Sequence, residues 1–182
     1  MKKQLMTFLL CGSLFATAQQ PVDYVNPFIG TSNYGTTNPG AVCPQGMMSV
    51  VPFNVMGSEK NRFDKDSQWW STPYSADNKF FTGFAHGSLS GVGCPELGGL
   101  LLMPTTGELN VDYKAYGSEY KDEVAHPGYY SNTLTKYNIK AEATASMRTG
   151  LSRFTFPKGE PYPLEPRRGL DERDRCYGTY RE

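Results

Sequence analysis

The sequence has no excess of charge of either sign and almost no long apolar segments. Its 182 residues include 18 Lys and Arg against 18 Asp and Glu. A protein that binds the nucleic-acid backbone needs a basic surplus, so nucleic acid is not an expected partner. No apolar run after the N-terminal stretch approaches the roughly 18 residues that cross a bilayer, so no membrane span is expected after that stretch.

Histidine and closely spaced cysteine are also scarce. The chain has two His and four Cys, and no pair has the short ligand spacing of a structural zinc site. A nucleophile elbow is absent, and the glycine-rich segment lacks the Gly-Lys-Ser/Thr ending of a phosphate-binding loop. No amphipathic helical pattern is present either. These absences disfavour zinc, nucleotide and serine-hydrolase chemistry, and they disfavour a helical bundle.

The N-terminal stretch 1–18 has the layout of a secretory signal. Lys2 and Lys3 precede an apolar segment from Leu5 to Phe15, and small residues follow at 16–18. The alternative is a short hydrophobic tail or membrane anchor, which the shortness of the apolar run disfavours. We expect an exported protein, located in the periplasm, on the outer surface or in the medium.

The segment 19–157 has the pattern of strands and turns. Apolar and polar residues alternate from Tyr137 to Arg148, a period of two that predicts a strand with one buried face. Phe154 and Phe156 continue the alternation, while Met47–Phe53 and Leu100–Met103 resemble more deeply buried strands. With 19 Gly and 13 Pro, this pattern predicts a mainly β chain folded as an antiparallel β-sandwich.

The segment 158–182 differs in composition. It holds six basic and six acidic residues among 25, against 22 charged residues among the preceding 139. Few of its side chains are apolar. We expect this tail to be disordered.

Several residues in turn-like sequence are candidates for ligand binding. His86 lies in a segment with four glycines, a composition that suits a ligand loop and equally a tight turn. Trp69 and Trp70 lie in a polar stretch, where they could stack on a sugar ring or close one end of the sandwich. Carboxyl groups suited to glycoside hydrolysis occur, but their spacing selects no acid–base pair: Asp23, Asp64, Glu96, Glu108 and Asp112. Cys43 and Cys94 could form a disulfide or remain two small thiols.

Six sequence blocks in order carry a resemblance to a known family. They are Val25–Thr31, Asn38–Ala41, Pro44–Met47, Gly93–Gly98, Leu102–Gly107 and Gly128–Ser131. Together they resemble the N-terminal domain of glycoside hydrolase family 92, exported α-mannosidases. The resemblance implies a mutarotase-like β-sandwich that packs on an (α/α)6 barrel, in an enzyme that hydrolyses mannose-containing glycans with inversion and requires calcium.

The resemblance also implies site residues. Segments that approach the sugar in the family match the Trp69–Trp70 region and the loop around His86. One tryptophan is the expected stacking face, and His86 with Gly93 and Cys94 is the expected pocket wall. Many members have a second histidine at the position of Ser88, so a histidine pair is not expected here. The acid, the base and most calcium ligands of the family lie in the barrel, and no residue of this chain matches the acid or base. No cofactor is therefore expected in this chain itself, and the missing C-terminal barrel is its expected partner.

The length and the charged tail suggest a truncated chain. Codons can be chosen for residues 161–182 such that the same nucleotides, read in the frame one nucleotide earlier, encode an apolar, strand-like continuation. We therefore hypothesise a frameshift near Glu160. A partial sandwich leaves apolar faces in water, so we expect marginal folding and no mannosidase activity. The alternative is a free-standing carbohydrate-binding or cell-surface module.

Overall fold

The computed structural model describes residues 20–33, 35–55, 72–88 and 99–159, together with the backbone of 164–168. Two five-stranded antiparallel sheets make up the described fold. The expected antiparallel β-sandwich is therefore confirmed. Helix in the described ranges is limited to a 3-10 turn, Pro21–Tyr24, and one α-helical turn, α1, Tyr113–Tyr116.

The first sheet has the strand order β1-β2-β4-β5-β10. Its strands are β1 (Ala41–Val42), β2 (Ser49–Phe53), β4 (Gly83–His86), β5 (Leu100–Pro104) and β10 (Leu164–Arg168). Strand β10 lies within the charged tail and pairs with β5 over its whole length. Five residues of the tail that was expected to be disordered are thus in a strand, while the reading-frame hypothesis stays a prediction.

The second sheet has the order β3-β6-β7-β8-β9. Its strands are β3 (Phe80–Phe81), β6 (Ser118–His126), β7 (Tyr129–Leu134), β8 (Ile139–Ala145) and β9 (Gly150–Thr155). Strands β6 to β9 form consecutive hairpins. The β6–β7 hairpin turns at Pro127-Gly128, as the sequence predicts, and Gly128 takes the positive φ of 78° that glycine adopts without strain.

The main core lies between the two sheets. Phe84 of the first sheet is fully buried, and its ring centroid lies 5.0 Å from that of Phe81 and 6.0 Å from that of Tyr130 in the second sheet. The alternating stretch predicted at 137–148 forms β8, and its inward Ile139, Ala141 and Ala143 join this core. The strand is shorter than the alternating pattern because turns occupy both ends of that pattern.

A second, smaller cluster lies on the other face of the first sheet. It contains Phe53, Val55 and Ala85, with Leu101 packed against it. Burial on both faces explains why β2 is continuously apolar from Val50 to Phe53. The prediction of a deeply buried strand holds for all of β2 but only for the C-terminal end of β5. Met103 near that end is buried, whereas Leu100 at the start of the strand is 42% exposed.

Candidate functional site

His86 is the last residue of β4, and it lies where several connections of the sandwich meet. In the sheet it pairs with Val50 on one side and Leu100 on the other. The amide of Gly87 donates to the carbonyl oxygen of Ser49 at 2.9 Å. The Ser49 hydroxyl donates to the carbonyl oxygen of Ser88, also at 2.9 Å. The segment that follows is therefore anchored next to β2. We call this region the His86 end.

The His86 ring is half-buried and its orientation is fixed by a backbone contact. Its Nδ1 lies 3.2 Å from the carbonyl oxygen of Phe84. A carbonyl oxygen only accepts, so this hydrogen bond places the proton on Nδ1 and makes Nε2 an acceptor in the neutral ring. A Cβ at Gly150 would lie 3.5 Å from Cδ2 of His86 and 2.6 Å from Cγ2 of Val50. Glycine thus permits the close approach of β9 to this ring.

Sulfur atoms from two connections meet beside this region. The Cys43 thiol donates to Sδ of Met147 at 3.7 Å, and the Met47 amide donates to the Met147 carbonyl oxygen at 2.8 Å. The β1–β2 connection is therefore held against the β8–β9 turn. Cys43 carries a free thiol. Cys94, its suggested disulfide partner, lies outside the described residues.

The other sugar-side residues predicted from the sequence are not described. Trp69, Trp70 and Gly93, like Cys94, lie outside the described ranges. The segments that carry them start and end at known places. Phe53 pairs with Gly83, at the start of β4, whereas His86 at its other end pairs with Leu100. The described residues on either side of the tryptophan segment therefore lie at the opposite end of β4 from those on either side of the Gly93 segment.

A buried polar cluster fixes the chain just after the tryptophan segment. A bulge in β6, with Asp122 at a φ of 52°, turns Glu123 inward. One oxygen of Glu123 accepts the hydroxyls of Tyr74 at 2.9 Å and Tyr130 at 2.6 Å. Burial, reinforced by the Glu123 charge, raises the pKa of Tyr130 well above its ordinary value. Tyr130 therefore stays protonated and keeps donating to Glu123. This hydrogen bond helps to hold the Glu123 carboxylate where the Tyr74 hydroxyl also reaches it.

A second carboxylate is fixed on the outer face of the second sheet. Glu142 accepts the Nε–H of Arg153 at 2.7 Å and the hydroxyl of Tyr129 at 2.8 Å, and Lys140 lies 3.3 Å away. The hydrogen bonds from Arg153 and Tyr129 lower the pKa of Glu142 to about 2. Glu142 is thus an anion at neutral pH. The alternation in the sequence predicts its outward direction but not its burial, which these partners produce.

Several of the family-like sequence blocks gather around one cleft. Its volume is about 430 Å³, and its lining includes Pro27, Asn38, Gly40, Pro127 and Gly128. These residues are far apart in the chain. Their convergence gives this edge of the sandwich a defined concave surface.

The described ranges contain no group of three or more His, Cys, Asp and Glu side chains arranged for a metal ion. The described residues therefore supply no carboxylate cluster for calcium, and we derive no chemical step through that ion. No helix within the described residues is long and apolar enough to cross a membrane.

Comparison with known proteins identifies the family. The model of the glycosyl hydrolase family 92 N-terminal domain matches residues 24–170. The chain belongs to glycoside hydrolase family 92. The resemblance carried by the six sequence blocks is therefore confirmed.

Related proteins agree with this chain in sequence and in fold. An uncharacterized secreted glycosidase of Arthroderma benhamiae is 31% identical over 144 residues, which are 74% of this chain and 17% of that protein. A family GH92 α-mannosidase of Bacteroides thetaiotaomicron is 35% identical with a TM-score of 0.64, over 75% of this chain and 18% of that one. The same enzyme in complex with mannoimidazole gives 36% identity and a TM-score of 0.62, with the same coverage. The chain thus spans less than a fifth of the length of these relatives.

Sequence reasoning selected His86 but missed the two fixed carboxylates. Glu123 depends on a bulge, which no pattern in the sequence announces. Glu142 and Arg153 lie opposite each other in the β8–β9 hairpin. The alternation in both strands places Glu142 and Arg153 on the same face of the sheet, so their pairing could be predicted once the register of the hairpin is known.

Proposed function

We propose that this chain is the sugar-side N-terminal domain of an exported α-mannosidase that acts on mannose-containing glycans with inversion. The observation that carries the proposal is the family match over residues 24–170. The related structure from Bacteroides thetaiotaomicron is an α-mannosidase, and its complex holds mannoimidazole. Calcium, the acid and the base belong in this proposal to the (α/α)6 barrel of the complete enzyme.

In this proposal the domain binds and orients mannose, while bond cleavage belongs to the barrel. His86 would contribute Nε2 as an acceptor for a sugar hydroxyl, because its Nδ1 faces the Phe84 carbonyl oxygen. Trp69 or Trp70 would supply a stacking face. Gly93 and Cys94 would form the pocket wall together with His86.

Titration with mannose, followed by tryptophan fluorescence, tests the binding role. We expect a saturable change, because the only two tryptophans of the chain are the proposed stacking residues. Trp69→Phe and Trp70→Phe, tested separately, each leave one reporter and show which ring responds. A folded sample without a saturable change would contradict the proposal.

The role of His86 has its own conservative control. His86→Gln keeps a polar atom near the position of Nε2, whereas His86→Ala removes it. We expect the glutamine variant to retain part of the mannose affinity and the alanine variant to lose it. Equal affinities for the two variants would exclude a hydrogen bond from this position.

The separation of binding from catalysis is tested by activity. We expect no mannose release by the 182-residue chain alone. Calcium-dependent release of mannose by that chain would contradict the assignment of catalysis to the barrel. Reading the gene beyond the codon for Glu160 tests the frameshift hypothesis, which requires a family-like continuation in the neighbouring frame.

A free-standing carbohydrate-binding module is the second candidate. The cleft of about 430 Å³ and the fixed polar groups of the outer sheet face are compatible with binding alone. Saturable mannose binding together with a gene that lacks the neighbouring-frame continuation would favour this candidate.

A further inference from the structure

The outer face of the second sheet carries three cross-strand rows of side chains on β7, β8 and β9. The first row is Tyr129, Thr144 and Leu151; the second is Ser131, Glu142 and Arg153; the third is Thr133, Lys140 and Thr155. In the first row a small residue stands between two large ones. The surface therefore has a slot with Thr144 as its floor.

The strand spacing at this slot suits one six-membered ring. Tyr129 and Leu151 are two strands apart, and neighbouring strands lie about 4.8 Å apart, so the backbones that carry the two walls are separated by roughly 9.6 Å. The Tyr129 hydroxyl lies 2.8 Å from Glu142 on β8, so the tyrosine ring leans over the slot toward the second row. A ring that makes contact on both sides needs about 4 Å to each wall, or roughly 8 Å in all. The pocket at this place has a volume of about 250 Å³. Leu151 is 65% exposed, so one apolar wall faces solvent.

Fixed hydrogen-bond donors border the slot. The Glu142 carboxylate, itself 9% exposed, accepts the Nε–H of Arg153 and the hydroxyl of Tyr129. The Arg153 side chain is nevertheless 73% exposed, and that of Lys140 is 54% exposed. Arginine has five N–H donors and only Nε–H is bound by Glu142, so the outer N–H groups remain for a ligand. The guanidinium is held in position before any ligand arrives.

We propose that this slot binds one neutral pyranose unit of a glycan, between Tyr129 and Leu151, with Arg153 donating to its hydroxyls. Apolar walls complement the C–H face of a sugar ring, and the donors complement its hydroxyl edge. The Glu142 carboxylate partly offsets the positive charges of Arg153 and Lys140, both of which it contacts. The site goes beyond the His86 end, and the choice of a glycan rests on membership of family 92.

Filling the floor of the slot tests this site. Thr144 is exposed, so Thr144→Leu adds bulk between the walls without disturbing the core. Thr155→Leu is the matched control, because Thr155 is exposed on the same face but does not line the pocket. The probe is α-linked mannotriose, added to the full chain labelled with ¹³C at leucine methyl groups. Leu151→Val identifies the Leu151 signal by its disappearance.

We expect mannotriose to shift the Leu151 methyl signals saturably in the wild type and in Thr155→Leu. Thr144→Leu should weaken this binding at least about tenfold, because a filled slot excludes the ring. Leu151→Ala, which shortens one wall, should weaken binding measured by calorimetry by about threefold to tenfold. Unshifted Leu151 signals in the wild type, or equal binding by both threonine variants, would overturn the proposal.

This site and the His86 end can fail separately. Mannose binding at the His86 end is followed by tryptophan fluorescence, whereas the slot is followed at Leu151. A fluorescence response that persists in Thr144→Leu shows that the proposed function stands without the slot.

Discussion

Replacing Glu123 by Ala removes an acceptor shared by two buried hydroxyl groups. One carboxylate oxygen accepts from Tyr74 and from Tyr130, and both tyrosines are fully buried. Glu123 itself is only half-buried. The main effect of Glu123→Ala should therefore be to leave the tyrosine hydroxyls without this acceptor, so we expect a loss of stability that depends on them.

The magnitude follows from these contacts. A hydrogen bond to a charged group contributes about 1.5–3 kcal/mol, so two of them give roughly 3–6 kcal/mol. Part of this is offset, because Tyr74 also interacts with the Tyr120 hydroxyl and because the carboxylate no longer has to be desolvated. We therefore expect Glu123→Ala to lower the free energy of unfolding by about 2–4 kcal/mol. That is a large part of a typical margin of about 5–15 kcal/mol.

A double-mutant cycle separates this cause from a general loss of packing. Tyr130→Phe alone should cost about 1 kcal/mol, and combined with Glu123→Ala it should cost almost nothing more, because it removes one of the two hydroxyls that Glu123→Ala leaves without this acceptor. Glu123→Gln keeps a neutral acceptor and should cost less than Glu123→Ala. Urea unfolding gives all four values. Strictly additive effects of Glu123→Ala and Tyr130→Phe would refute the reasoning.

Three further predictions concern the sheets. The folded-state pKa of Glu142, about 2, lies below its ordinary value of 4.5, so the contribution of Glu142 to stability is present above pH 4.5 and is lost as the pH falls toward 2. Glu142→Gln should therefore reduce the difference between the unfolding free energies measured at pH 6 and at pH 3. An unchanged difference would be evidence against the ion pair. Gly150→Ala places a Cβ 2.6 Å from Cγ2 of Val50 and should lower the free energy of unfolding in urea by about 1–3 kcal/mol. The control Gly99→Ala, whose Cβ has no atom within 4 Å, should be nearly neutral. Equal losses for the two variants would contradict the close approach of the sheets. Phe84→Ala empties the centre of the main core and should cost about 3–5 kcal/mol by thermal unfolding, and a cost below about 1 kcal/mol would show that Phe84 is not buried there.

The local pattern of the sequence was sufficient for much of the fold. Strict alternation predicts β8 because successive side chains of a strand point to opposite faces, and the buried Ile139, Ala141 and Ala143 confirm it. Gly128 marks the β6–β7 hairpin because glycine adopts a positive φ without strain. The family was also recognisable, since its blocks are short and ordered along the chain.

The sequence by itself determined the β-sandwich fold, the positions of the strands that flank the predicted turns, and the membership of family 92. The pairing of distant groups was decided only by the tertiary structure. Glu123 meets Tyr74 because a bulge reverses the phase of β6, and Glu142 meets Arg153 because the hairpin register places them opposite each other. Backbone periodicity is a local property that neighbouring residues specify. The environment of a carboxylate depends on which strands pair and in which register, which is settled when the two sheets close on their core.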